Sequence, residues 1–342
     1  MASVDAFGYA YSLTIGIPEK LIKIAVPENN IADTQIVAPK PEGGAETDYR
    51  TEPSRSFEVI DKQLVAEIDN SKDTDSPAVI SVYNLNSDQL ALIKENSSVI
   101  LRAGYKTELD VRNPDRKKLP LVYVGQVVAV KTNDNGVDKV TEIICSEGRT
   151  PLRNIKISLS WPPGTKYQDM LLAMAEIASG VGIPLGKYTG DERVGTSIFR
   201  ETTLALESAP NGYQVAGIFE EELKRLADNA GFRAYMSLGK LYIEPKYLER
   251  SVEYVRVSSN NIKGTIEIEE DGSVGLSGDL AEKNGITFKT FLNGNISTNK
   301  FLRLEKLLNS QFEGDFKIES TKHSLNFEGG VWETEISATR IK

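Results

Sequence analysis

Two-residue alternation of apolar and polar positions dominates the chain between residues 55 and 150. In "KQLVAEID", Leu64, Ala66 and Ile68 alternate with Gln63, Val65, Glu67 and Asp69. In "SVILRAGY", Val99, Leu101, Ala103 and Tyr105 fall on one face, and in "LVYVGQVVAVKT" Val122, Val124, Val128 and Val130 do, with Gly125 opposite. This period predicts half-buried antiparallel strands. "KVTEIIC" returns after "NDNGVD", where Asn135-Gly136 predicts a hairpin, because a type I′ turn needs positive φ at both central positions. The same segment is no calcium loop, since its oxygen ligands are not at alternate positions before the glycine. Five or six short strands here predict a small barrel or sandwich. "NSDQLALIKE" then reads as a short helix, Ser87 its N-cap, with Leu90 and Ile93 at i, i+3 plugging an open end of that barrel.

Residues 151–262 change period. "TKYQDMLLAMAEIASGVG" opens with a capping box, Thr165 to Gln168, and carries a helical stripe of Tyr167, Met170, Leu171, Met174, Ile177 and Ala178. A second helix is predicted from Tyr213 to Ala230, with Val215, Phe219, Leu223 and Leu226 on one side and Gly231 as its stop. "FRAYMSLGKLYIEP" predicts a hairpin turning at Leu238-Gly239 and ending at Pro245. Together these form a small α+β module. Residues 263–342 return to strands, closing with a hairpin at Gly329-Gly330. Residues 1–54 read as an extended N-terminal arm: "SLTIGIPEKLIKIAV" offers one or two strands, and the Pro-rich stretch 27–54 has no sustained period. The expected architecture is mainly β with α+β. Two tube-like β-barrel domains, 55–150 and 263–342, flank the helix-plus-hairpin module at 151–262, behind the arm at 1–54.

Composition narrows the function classes. The 342 residues are enough for about two or three domains. A net charge of −9, with no local Lys/Arg cluster, opposes binding to nucleic acid through phosphate neutralisation. No apolar run approaches membrane-spanning length, so no membrane insertion is expected, and the N-terminus lacks a signal-peptide pattern. The single cysteine, Cys145 in "VTEIICSEG", reads as an inert buried strand residue. With His323 the only histidine, a Cys/His zinc site or a two-histidine metal site cannot form within the chain. No Gly-x-Ser-x-Gly elbow accompanies it.

The remaining candidates for chemistry read as structural. The acidic groups "EIEED" (Glu267 to Asp271) and "FEEELKR" (Phe219 to Arg225) lack the dry, separated carboxylate pair that a glycosidase needs. In the second, Glu220–Lys224 and Glu221–Arg225 have helix-supporting i,i+4 spacing. "SGVGIPLGKYTG" has neither dinucleotide nor Walker spacing. Trp161 in "SWPPGT" reads as a packing aromatic at a Pro-rich bend, and His323 as a hydrogen-bonding residue facing Trp332 across the last hairpin. No catalytic, cofactor-binding or metal-binding residue is assigned, and no cofactor is expected.

Several segments in order resemble baseplate hub proteins of phage tails, the tail-tube-like hub family of contractile-tailed phages. The matching residues are Tyr83-Asn84-Leu85 before a short helix, Gly104-Tyr105 closing the next strand, and Tyr123 and Gly125 in "VYVGQV". Asp138 and Thr141 in the following hairpin also match, as does "GYQVAGIFEEELKRLADNAGFRAYMSLGKLYIEP". The closing segment supplies Gly314, Phe316, Lys317, Ile318, His323, Trp332 and Thr334. The likeness runs from about Ser56 to Arg340, and the arm before it departs from the usual pattern.

The resemblance implies a non-enzymatic homotrimeric ring joining a six-fold tail tube or distal tail proteins above to a three-fold central spike below. DNA would meet it only in transit through its lumen. It further implies a place in the virion baseplate after assembly in the host cytoplasm, with wedge components as possible neighbours of the 27–54 segment. The competing expectation is a glycan-active or peptidoglycan-cleaving enzyme, or a carbohydrate-binding module using Trp161 and Tyr188.

Overall fold

The computed structural model describes residues 8–18, 35–37, 53–60, 62–71, 77–109, 115–134, 136–147, 152–153, 155–180, 183, 185, 207–245, 254–269, 285–298 and 300–341. A thirteen-stranded sheet dominates it. The early chain contributes β1 (Tyr9–Pro18), β3 (Pro53–Val59), β4 (Leu64–Ser71), β5 (Pro77–Tyr83), β6 (Ser98–Tyr105), β7 (Leu121–Asp134) and β8 (Lys139–Ser146). The late chain contributes β13 (Tyr254–Val257), β14 (Ile262–Glu269), β15 (Gly285–Phe291), β16 (Phe301–Leu304), β17 (Gly314–Asn326) and β18 (Trp332–Arg340). The hydrogen-bonded order is β14-β15-β18-β17-β4-β5-β8-β7-β6-β1-β3, with β16 also on β17 and β13 on β16.

This path is open, and it corrects the two-barrel expectation: among the described residues no sheet closes on itself. Closing the early strands would require β3 and β4 to share a ladder. Instead the other edge of β4 is taken by β17, with Leu325 opposite Ala66 and His323 opposite Ile68. Alternation shows which face of a strand is buried, but it does not encode which edge pairs with which. The partner that keeps the sheet open comes from some 250 residues away in sequence, a separation of the kind local patterns do not report.

β17 is long because it serves two neighbours. Its first residues pair with β16, Gly314 opposite Leu304 and Lys317 opposite Phe301, and its last seven pair with β4. A β-bulge between Ile318 and Ser320 separates the two stretches. The extra residue shifts the burial phase from Phe316 and Ile318 to Thr321, His323 and Leu325. One face of the β17–β18 hairpin therefore feeds two apolar clusters. Phe316, Ile318, Ile336 and Ala338 join Phe288 and Leu302, whereas Leu325 and Trp332 join the cluster of Tyr11, Leu13, Ile80, Leu101 and Tyr123.

The N-terminal strand is no appendage. β1 lies between β6 and β3, and Tyr11, Leu13 and Ile15 are completely buried. Its alternation in "YAYSLTI" is the same two-residue signal found downstream. Most of 27–54 lies outside the described residues; β2 (Gln35–Val37) pairs with β9 (Lys156–Trp161).

The short helix α1 (Ser87–Ala91) does stand between β5 and β6, but its N-cap is Asn86 rather than Ser87. The Asn86 side chain accepts from the Gln89 backbone, and the Gln89 side chain reciprocates at the Asn86 N–H, a capping box with its cap one residue before the expected Ser87. With no barrel to plug, Leu85, Leu90 and Ile93 instead pack against the sheet cluster.

The remaining helices and strands form a separate apolar cluster. α2 (Tyr167–Gly180) buries Met170, Leu171, Met174, Ile177 and Ala178, as its periodicity predicts. The expected Thr165–Gln168 box is absent: Lys166 precedes the helix, and the Thr165 hydroxyl donates to Pro162 O. The predicted helix 213–230 divides into β10 (Tyr213–Ile218), paired with β9, and α3 (Phe219–Asn229). Gly231 (φ 72°) follows its end. β11 (Phe232–Ser237) and β12 (Lys240–Pro245) turn through Leu238 and Gly239, both at positive φ (51° and 74°), as a two-residue type I′ hairpin requires. The β7–β8 connection is longer than the Asn135-Gly136 signal suggests. Asp134 pairs with Lys139, so the loop holds residues 135–138, and Asp134 caps it by accepting from Gly136 N.

Candidate assembly surfaces and interior polar groups

The open sheet leaves main-chain groups exposed where strands end without a neighbour. Among the described residues, β3 and β14 end the main run of the sheet and are unlike in sequence, and β13, paired only with β16, ends its branch. β7 adds a partial edge. β6 covers it only as far as Gln126, while β8 follows it to Asp134, so Val128–Asp134 is paired on one side alone. Val128 and Val130 are exposed there, and Val137 at the hairpin tip is almost fully so. Unpaired N–H and C=O groups beside apolar side chains are the elements from which strand-to-strand contacts are made. Along β14, Ile262, Ile266, Leu307 and Phe312 line a shallow apolar groove of about 300 Å³, with Leu308 fully exposed nearby.

A second, polar cleft of about 270 Å³ lies where the early and late strands meet. Tyr105 and Pro120 form one wall, and Arg256, Asn261, residues 290–293, Asn295 and Ile296 the other. The walls approach closely at Gly294. A Cβ there would lie 2.9 Å from Pro120 Cβ and 3.0 Å from Leu121 O, so only glycine fits without displacement.

The interior polar groups explain the sequence candidates. His323 faces Thr334, not Trp332: its Nδ1 lies 2.9 Å from Thr334 Oγ1, which also accepts from Asn293 N at 3.2 Å. Burial holds the imidazole neutral and lowers its pKa to about 4. Trp332 lies opposite Leu325, stacks on Tyr9 at 4.8 Å and donates to Gly104 O at 3.2 Å. Cys145 is buried with its thiol pKa raised by desolvation, and Trp161 lies in the helical cluster.

The acidic candidates are engaged in ion pairs or spread over the surface. Burial tends to raise the Glu220 carboxyl pKa, but hydrogen bonds from Arg153 (2.8 Å) and Lys224 (3.0 Å) outweigh it and hold the group below its ordinary value. A general acid needs the opposite shift. Arg225 pairs with Glu222, not with Glu221 as the spacing suggested. Glu267 is exposed on β14, while Asp271, Tyr188 and most of "SGVGIPLGKYTG" lie outside the described residues. Among the described residues no group of three or more His, Cys, Asp or Glu is placed to hold a metal ion. Nor is any helix there long and apolar enough to cross a membrane. The cleft residues Arg256 and Asn295 escape sequence reasoning, because they belong to no motif and meet only through the long-range pairing of the sheet.

No family pattern and no curated protein sequence matches the chain. Solved structures do. The tail protein from Neisseria meningitidis MC58 superimposes with a TM-score of 0.54 at 10% identity, over 97% of this chain and 97% of that one. The 43 kDa tail protein of prophage MuSo2 from Shewanella oneidensis gives 0.51 at 10% identity, over 90% of this chain and 96% of that one. A chain of the Francisella PdpA-VgrG complex gives 0.51 at 8% identity, over 97% of this chain and 53% of that one. At these identities the likeness is one of fold: the chain shares the architecture of these tail and VgrG-complex proteins.

Proposed function

We propose that the chain is a structural component of a phage-tail-like assembly and, more finely, its hub: a homotrimeric ring between a six-fold tail tube and a three-fold central spike. The observation that carries this reading is the end-to-end likeness to a tail protein, which spans 97% of both chains. In this reading residues 55–150 and 263–342 are the two tube-facing regions, joined through the β4–β17 ladder. Residues 151–262 form the module between them, and 1–54 contributes β1 together with a segment for neighbouring chains or wedge components. Three copies then offer six sheet regions to the tube and three equivalent faces to the spike. A ring also needs heterologous contacts, which the unlike terminal strands β3 and β14 are suited to provide. The net charge of −9 suits a lumen through which DNA passes without being held. The work is done by shape, in a virion, after assembly in the host cytoplasm.

Light scattering and electron microscopy of the purified chain, alone and mixed with tail-tube and spike proteins, test the proposal. The expected result is a three-copy ring in at least one of these mixtures. Monomers throughout would overturn it, and clearing of a cell-wall suspension would replace it with the glycan-cleaving reading.

A further inference from the structure

The cleft between the early and late strands has a donor-rich lining that neither the packing nor the hub reading uses. Arg256 has no hydrogen-bond or ion-pair partner among the described residues, although most cationic side chains nearby do: Lys263 and Lys289 both engage Glu333, and Arg303 forks onto Asp315 at 2.6 and 2.8 Å. Two asparagines of the lining have already spent their amide oxygens. Asn261 Oδ1 accepts from the Ser258 hydroxyl at 3.0 Å, and Asn293 Oδ1 accepts from Asn295 N at 3.0 Å. Their amino groups remain, together with the whole side-chain amide of Asn295 and the guanidinium of Arg256. An exposed Phe291 and the apolar Leu292 and Ile296 complete the lining.

Each of these facts constrains the ligand. Unspent donors beside an unpaired cation select a molecule rich in oxygen acceptors and carrying negative charge. The guanidinium offers a planar fork that matches a carboxylate. Size decides between a carboxylate alone and something larger: about 270 Å³ is the liquid volume of about nine waters at ~30 Å³ each. That is several times what an inserted Asp or Glu carboxylate needs, and enough for a pyranose ring. Apolar surface beside donors also suits a sugar, whose C–H face is apolar and whose rim is polar.

We propose that this cleft is a binding site for a carboxylated sugar of the uronic-acid class. Arg256 takes the carboxylate, the amides of Asn261, Asn293 and Asn295 take ring hydroxyls, and the exposed Phe291 meets the C–H face. The two walls come together at Gly294, which packs against Pro120 and Leu121. The site is independent of the trimer proposal, because it lies within one chain.

Titration calorimetry of the full chain with sodium glucuronate, glucose and sodium acetate tests it. Glucuronate is expected to bind in the millimolar range or tighter, with glucose and acetate each at least tenfold weaker. Arg256→Ala should weaken glucuronate at least tenfold and Asn295→Ala severalfold. Both side chains are exposed, so unchanged melting temperatures serve as the folding control. Acetate binding as tightly as glucuronate would overturn the sugar assignment in favour of a simple carboxylate notch. Absence of glucuronate binding, or binding unchanged in Arg256→Ala, would overturn the site.

Discussion

The two stretches of the long sheet bury their strands differently. In β15 and β18 burial alternates strictly, residue by residue, so one face packs and the other meets solvent. In β6 and β7 consecutive residues are buried, with Val122–Val127 covered on both faces. The early stretch is thus the more enclosed of the two, yet it is not self-sufficient. Its apolar cluster is completed by Leu292, Leu325 and Trp332 from the late stretch. The lesson is that enclosure here comes from borrowed side chains and not from closure of a barrel.

The sharpest way to break that comparison is Trp332→Ala. The mutation removes a fully buried indole, its stack on Tyr9 and its hydrogen bond to Gly104 O. A loss of about 3–5 kcal/mol is expected from truncating a buried aromatic of this size. If the early stretch depends on the borrowed residue, chemical denaturation should show the early strands losing stability with the late ones. Amide exchange that stays slow in β5, β6 and β8 of the variant, while β17 and β18 loosen, would show the early stretch to be autonomous.

The same contrast explains what was legible in the sequence. Strand existence was readable wherever one face meets solvent, as in β4, β15 and β18, because alternation records one-sided burial. The stripe of α2 was readable for the corresponding helical reason. In β7 the rule failed: Val128 and Val130 were expected inside with Val122 and Val124, but the strand runs past the end of β6 there and is exposed on both faces from Val128 to Asp134. β10 was misread as helix because Val215 and Phe219 happen to sit four residues apart across a strand–helix junction. The polar cleft left no local trace, since its walls come from positions more than a hundred residues apart.

A second test concerns the seam between the two apolar clusters, where His323 and Thr334 form a buried polar rung. The folded-state pKa of about 4 lies below the ordinary 6.5, so the folded chain binds a proton less readily than the unfolded one. Stability should therefore be unaffected by this group above about pH 6.5. It should fall as pH drops from there to about 4, and level off below, by about 3 kcal/mol in total at ~1.36 kcal/mol per unit. The carboxylates Asp315 and Glu333, held low by Arg303 and Lys289, lose their contributions only at more acidic pH. The window from 6.5 to 5 thus isolates the histidine. Denaturant midpoints for the wild type and His323→Gln across this window check it; an equal slope in both would remove His323 as the cause.

The smallest expected effect tests how rigidly the two stretches are held. Gly294, in the loop after β15, packs tightly against Pro120 and Leu121 at the start of β7. In Gly294→Ala the new methyl meets Pro120 Cβ at 2.9 Å and the backbone carbonyl of Leu121 at 3.0 Å, neither of which can swing away as a flexible side chain would. Overpacking of this kind costs about 1–3 kcal/mol. Because the clash is backbone-bound, relief requires the two stretches to part slightly, so amide exchange should quicken at Ala103, whose N–H bonds Pro120 O at 3.1 Å. A full-sized loss of stability with unchanged exchange at Ala103 would place the strain in the 292–296 loop instead. The β4–β17 ladder and the Trp332 contacts would then hold the early and late stretches together, with the loop after β15 free to yield.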